Sequence, residues 1–172
     1  MKTEKLVFCA VFAALMAVLS QLSIPMPTGV PLTLQTFTAA LCGYFLGAGY
    51  GSMAIGVYLL LGLAGAPVFS NFRGGVGILI GPTGGFLLTF PALAALCGAR
   101  EEAKLALPLG MAGTLLCHAC GAAYFAAVTK ARFIHSVLTV SLPYLPKDLV
   151  LTAAAYFLAR AIKKAMRRGK RA

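Results

Sequence analysis

Charge is what this sequence has least of. Only 11% of its 172 residues are charged, and four of those are acids, whereas soluble domains run nearer a quarter charged. A water-soluble fold of this length has too much surface for so few charges to cover, so a soluble class is excluded. Catalytic groupings are also missing. The two histidines, His118 and His135, belong to no HExxH arrangement, no GxSxG turn occurs, and no glycine-rich phosphate-binding loop carries its lysine. ATP hydrolysis by this chain is therefore excluded on motif grounds, and the chain is expected not to be an enzyme. Cysteine is sparse and odd in number: Cys9, Cys42, Cys97, Cys117 and Cys120 all sit in apolar stretches. Cys117-His118-Ala119-Cys120 resembles half of a metal site, but no second ligand pair exists, so no metal site and no cofactor are expected. The cysteines read as small hydrophobes.

What is present is apolar. Hydrophobic residues make up 60% of the chain, and the mean hydropathy is +0.89. Lipid is the solvent that fits. The net charge of +11 would suit nucleic acid, but its distribution does not. Seven of the fifteen basic residues, Arg160, Lys163, Lys164, Arg167, Arg168, Lys170 and Arg171, crowd the last thirteen positions. Such clusters beside apolar segments hold membrane termini in the cytoplasm and attract anionic lipid. Membrane lipids are thus expected partners, and nucleic acid is not.

The first apolar stretch, Leu6 to Leu22, follows Lys2 and Lys5 and leads into further apolar segments rather than a soluble domain, so it reads as a retained helix rather than a signal peptide. A spanning helix takes roughly 20 apolar residues, fewer where the bilayer thins. The pattern predicts an all-α integral membrane protein with helices at about Leu6–Leu22, Leu34–Leu46, Ser52–Gly65, Gly85–Gly98 (interrupted by Pro91), Leu105–Thr129 and Asp148–Ala161. That is six spans, or five if the second and third form one bent unit. Residues 1–172 form one transmembrane domain, with a basic cytoplasmic tail from 160 to 172. Six spans place both termini in the cytoplasm of a multi-pass cell-membrane protein. Eleven basic residues then lie inside, and only Arg73, Lys130, Arg132 and Lys147 lie outside.

On that topology the outer loops hold most of the uncommon polar residues. Non-helical backbone at membrane depth survives only when packed in protein or lining a cavity, so three such loops on one face point to a binding cavity there. Asp148 is the one acid facing outward. It reads either as a helix N-cap or as a functional carboxylate suited to a ligand with paired N–H donors. Asn71 can donate and accept, and Arg73 can grip a carboxylate, unless both simply lie in a wet loop. Gln35 and Thr36 enter the second helix, as packing or as part of the site. Tyr144 is an interface anchor or an aromatic wall, and Phe69, Phe72 and Phe86 are apolar wall candidates or core. Gly43, Gly47 and Gly51 recur every four residues, a spacing that lets helices approach closely. Ala10, Ala13, Ala14 and Ala17 form a small-residue face on the first helix, for a partner helix in this chain or in another subunit.

These residues carry a resemblance. Pro25-Met26-Pro27 with Thr33-Leu34-Gln35-Thr36-Phe37, Gly65-Ala66-Pro67-Val68-Phe69 with Gly74-Gly75, Gly81-Pro82-Thr83-Gly84-Gly85 and Pro143-Tyr144-Leu145-Pro146-Lys147-Asp148 resemble, in this order, the BioY family, the substrate-binding (S) components of biotin transporters of the energy-coupling factor (ECF) class. The resemblance implies the six-helix S-component fold, biotin held at the outer face as transported substrate, and the first outer loop as a lid. It implies that helix one docks through Ala10 and Ala14 on an ECF transmembrane coupling subunit, itself attached to two ATPase subunits, and that the S component topples in the membrane to deliver the vitamin. It assigns Asn71 and Asp148 to polar contacts with the ureido ring, and Arg73 or Lys147 to the valerate carboxylate. Many relatives place a lysine three residues beyond the aspartate; here Lys147 precedes Asp148 and Leu151 stands at the lysine position. A nanomolar site needs about 12 kcal/mol, which the roughly 16 non-hydrogen atoms of biotin can supply when nearly enclosed. An S component for another vitamin, an intramembrane enzyme and a purely structural membrane partner are the competing readings.

Overall fold

The computed structural model describes residues 2–100 and 102–169; Glu101 and the terminal cations Lys170 and Arg171 lie outside that range. Its elements are α1 (Lys2–Ser20), β1 (Ser23–Ile24), β2 (Leu32–Thr33), α2 (Gln35–Leu46), α3 (Ala48–Leu63), a 3-10 turn at Ser70–Phe72, α4 (Val76–Leu79), α5 (Gly84–Gly98), α6 (Ala103–Thr129), α7 (Phe133–Ser136), a π turn at Val137–Ser141, and α8 (Leu145–Gly169). Six of the helices among the described residues have 12 or more residues, and they correspond in order to the six predicted from hydropathy. The one sheet is a two-stranded hairpin pairing Ser23 with Thr33 and Ile24 with Leu32.

The bundle is apolar outside and polar at several points within. Val18, Leu60, Ile80, Val150 and Phe157 are each more than 60% exposed, while Thr38, Thr114 and Thr152 are fully buried. Continuous apolar exterior of this kind is what lipid rather than water solvates. Inside, the Thr114 and Thr152 hydroxyls bond each other at 2.7 Å and tie α6 to α8, an interhelical link of the kind used where apolar packing gives helices no preference over lipid. α1 and α6 are long and apolar enough to cross a membrane alone, and α3 and α5 are shorter apolar helices.

At 1.5 Å per residue, α2 with its 12 residues is only about 18 Å long, well short of a hydrocarbon core of about 30 Å. The hairpin and the cavity gather at its N-terminal end. α2 packs on α1, α3, α5 and α8 and is buried on nearly all sides from Gln35 to Tyr44. Its close approach to α5 depends on Gly43, where a Cβ would run into the Ala94 carbonyl and lie 2.7 Å from the Cys97 Cβ. A Cβ on Gly51 would lie 2.9 Å from the Cys42 carbonyl and the Gly43 Cα, whereas one on Gly47 would meet nothing within 4 Å. Gly47 instead makes the joint between α2 and α3 with φ of 85°, so of the three regularly spaced glycines two allow close packing and the third turns the chain.

Element ends differ from the hydropathy reading for local reasons. α1 stops at Ser20 because Ser20 and Gln21 bond the incoming loop: Gln21 Nε2 donates to the Phe69 carbonyl at 3.1 Å, and its Oε1 accepts from Phe72 N–H at 2.8 Å. α5 continues through Pro91, whose carbonyl accepts from Ser52 Oγ at 2.7 Å. α8 begins at Leu145 rather than Asp148, with Pro146 in the first turn, where a missing N–H costs nothing. It runs on to Gly169 because lysine and arginine are good helix formers and favour a helix C-terminus.

Candidate functional site

The three polar outer connections meet at one cavity. Val30, Pro31 and Thr33 come from the hairpin strap, Ser70 and Thr83 from the loops around α4, and Tyr144, Lys147 and Asp148 from the start of α8. Phe86, Leu87 and Phe90 of α5 and Val140 of the π turn supply apolar wall, and His118 of α6 closes the floor.

Asp148 is the centre of this arrangement. Because α8 starts at Leu145, Asp148 lies inside the first turn, and its N–H bonds the Tyr144 carbonyl at 3.0 Å. The carboxylate is therefore not a cap; it points inward and is 5% exposed. Oδ2 lies 3.1 Å from His118 Nε2, and His118 Nδ1 lies 3.1 Å from Ser141 Oγ. A carboxylate accepts, so Nε2 carries the proton on this side and Ser141 fixes the ring from the other. Phe86 packs edge-on to the imidazole at 5.9 Å. Oδ1 is 2.7 Å from Lys147 Nζ, yet the contact lacks hydrogen-bond geometry, and Oδ1 has no hydrogen-bond partner among the described residues. Its charge is matched while its lone pairs stay open.

Lys147 and Tyr144 hold the strap down. Lys147 Nζ donates to the Thr33 carbonyl at 2.8 Å. Tyr144 Oη donates to the Val30 carbonyl at 2.8 Å and lies 2.9 Å from Thr28 Oγ1. Gln35, buried where the strap enters α2, donates through Nε2 to Tyr58 Oη at 2.8 Å and accepts from Thr33 Oγ1 at 3.1 Å. The cation that stands before the aspartate in this chain thus reaches both the carboxylate and the strap.

Of the six candidate binding residues, the fold brings Gln35, Tyr144, Lys147 and Asp148 to the cavity. Asn71 and Arg73 sit beside it on the exposed loop, adjoining the lining residue Ser70. Asn71 has left-handed backbone, φ 60° and ψ 38°, a conformation asparagine accepts better than most residues. Its Oδ1 accepts from Ser23 Oγ at 3.0 Å, joining this loop to the hairpin. Phe69 is core, packed edge-on to Tyr58 at 5.5 Å, and Phe72 is 74% exposed; only Phe86 of the three aromatic candidates reaches the cavity. His118 and Thr33 were not among the candidates. A lone histidine within an apolar helix was the available signal, and its hydrogen-bonded role in the core is what the structure shows, with the carboxylate as one partner. On α1 the alanine face divides: Ala13 is buried, Ala17 is half-buried, and Ala10 and Ala14 are exposed.

A buried carboxylate beside an apolar wall is chemistry suited to a small, mainly apolar molecule that offers N–H donors. Among the described residues no three metal-ligating side chains cluster, and within the Cys117–Cys120 segment Cys120 is exposed while His118 is committed to Asp148 and Ser141.

Comparison with known proteins places the chain in a family. The chain is 37% identical over 166 residues to the biotin transporter BioY of Thermotoga maritima, covering 94% of this chain and 96% of that one. It is 35% identical to the probable biotin transporter BioY of Pyrococcus horikoshii, covering 95% and 98%. A crystal structure of the S-component for biotin from an ECF-type ABC transporter superposes with a TM-score of 0.86, covering 95% of this chain and 92% of that chain at 24% identity, which establishes the shared fold. The BioY family model matches residues 1–168, and the chain belongs to the BioY family.

Proposed function

We propose that this chain is the biotin-binding subunit of an ECF-type importer, a multi-pass protein of the cell membrane with six crossings, both termini cytoplasmic and residues 1–172 acting as one substrate-binding domain. Binding, not catalysis, is its task. The observation that carries the reading is Asp148 Oδ1: a buried, charge-paired acceptor at the cavity with no hydrogen-bond partner among the described residues. The ureido ring of biotin brings two N–H donors and one carbonyl, so a carboxylate with an open lone pair is its complement. Asn71 and Arg73 lie at the rim, within the same loop as Ser70, where an amide can meet the ring carbonyl and a guanidinium the valerate carboxylate. Lys147 is already held between Asp148 and the strap, which favours Arg73 for that carboxylate. Gln35 and Tyr144 shape the wall, and the strap over residues 25–34 acts as the lid. Family membership and relatives named biotin transporters support the same ligand.

Delivery requires a partner. Ala10 and Ala14 are exposed on α1, small enough to let another helix come close, and they form the docking face for the ECF transmembrane coupling subunit, which carries two ATPases.

The test is isothermal titration of the detergent-solubilised protein with biotin. One-to-one binding is expected, with Asp148→Asn weakening it at least about 30-fold, as truncation of a buried charged contact costs 2–5 kcal/mol. Size-exclusion and circular dichroism profiles of the variant should match those of the parent. No heat from a folded sample would overturn biotin as the ligand and open the search to other vitamins.

A further inference from the structure

At the opposite end of the bundle from the biotin cavity lies a second, larger cleft of about 890 Å³, between the α2–α3 joint, the α5–α6 turn and the last turns of α8. Arg160, Lys164, Arg167 and Arg168 line one side and Arg100 the other. No carboxylate among the described residues lines it. The floor is made of small residues, Gly43, Gly98, Ala106 and Ala159, which gives the cleft depth beneath its cationic rim.

Two observations mark it as more than a basic tail. Arg160 is held in place: Nη1 donates to Tyr156 Oη at 2.8 Å, and the guanidinium carbon lies 5.6 Å from the centre of that ring. Tyr156 in turn packs edge-on to Tyr44 at 5.3 Å. Tyr44 lines the cleft and is only 7% exposed, its hydroxyl turned to Gly110 and the Cys97 thiol, so the aromatic pair behind Arg160 is a fixed wall.

Position selects the occupant. Along α8, Arg160 stands 12 residues and Arg168 20 residues beyond Asp148, about 18 and 30 Å at 1.5 Å per residue. With the biotin cavity near one face of a core about 30 Å thick, Arg168 reaches the headgroup level of the other and Arg160 stands about two helical turns inside it. Arginine forks match phosphate oxygens in pairs, and basic pockets between helices on the cytoplasmic side suit anionic headgroups. We infer that this cleft binds the phosphate of an anionic phospholipid from the cytoplasmic leaflet, with the Arg160, Arg167 and Arg168 cluster on the phosphate. The inference uses the membrane placement proposed above but not biotin binding.

The experiment is native mass spectrometry of the full-length protein released from detergent with dioleoylphosphatidylglycerol or dioleoylphosphatidylcholine, each sample also titrated with biotin. The parent is expected to retain phosphatidylglycerol at least tenfold more strongly than phosphatidylcholine. Arg160→Gln/Arg167→Gln/Arg168→Gln should abolish that preference, and Arg160→Lys, which keeps the charge but loses the planar fork, should lower it about threefold, with biotin affinity unchanged in both. Equal retention of the two lipids by the parent would overturn the inference, and loss of coupling-subunit assembly in the triple variant would then mark the cleft as a protein contact. An Arg160→Lys protein that behaves as the parent would reduce the effect to diffuse attraction by the tail and overturn the site. Displacement of phosphatidylglycerol by millimolar inorganic phosphate would overturn the lipid as occupant in favour of the free anion.

Discussion

At the scale of single residues, the chemistry turns on how one carboxylate is kept buried beside an apolar wall. Asp148 has a ring nitrogen on one oxygen and an ammonium near the other, and each neighbour is itself anchored, His118 by Ser141 and Lys147 by the Thr33 carbonyl. A buried charge left without such partners is strongly destabilising. His118→Leu keeps the volume roughly constant but removes the donor to Oδ2. It is expected to lower stability by about 1–3 kcal/mol, the cost of an unsatisfied buried group, and to weaken biotin binding in parallel. Unfolding titrations followed by circular dichroism check the first outcome and calorimetry the second; unchanged stability would mean that the imidazole contributes no support. Polar loops and the lone outward acid made Asp148 legible as a candidate. His118 was not, because the two lie 30 positions apart and only the packing of α6 on α8 brings them within 3.1 Å.

The strap lines one side of the cavity and is the proposed lid. Its two short strands pair through only two residues each, too few to hold a hairpin shut on their own. Closure comes from the start of α8, through Tyr144 on the Val30 carbonyl and Lys147 on the Thr33 carbonyl. Tyr144→Phe removes one of these ties and the contact to Thr28, worth about 0.5–1.5 kcal/mol per hydrogen bond. The expected result is biotin release faster by roughly 3–10-fold with an unchanged association rate, since such changes fall mainly on dissociation. Stopped-flow or surface-capture kinetics would show it, and an unaltered off-rate would remove the strap from the gating role. The loop's proline and glycine content showed that this segment is not helical, but it did not show that α8 is what pins it.

For the whole molecule, an apolar exterior, a polar cavity at one end and a basic cleft at the other describe a subunit that must both hold a ligand and meet another protein. Ala10 and Ala14, the proposed docking face, point outward while Ala13 turns into the core. Replacing both by leucine adds bulk only on the exposed face. Ala10→Leu/Ala14→Leu is expected to keep biotin affinity within about twofold, as surface changes remote from a site usually do, while reducing co-purification with the coupling subunit at least tenfold. Loss of biotin binding instead would place that face inside the binding domain's own packing.

The sequence by itself determined the solvent, the number and order of the long helices, the bias of positive charge and the loops in which polar groups gather. These follow from transfer free energies, which act residue by residue and so survive in composition and periodicity. Tertiary structure alone decided that Asp148 sits inside a helical turn and not at its cap, and that His118 meets it. It alone set Lys147 on the strap, left Asn71 and Arg73 at the rim, and turned Gly47 into a joint while Gly43 and Gly51 became contacts. Each of these depends on distances between residues remote in the chain, and those distances are set by how close two helices can pack, which no local pattern encodes.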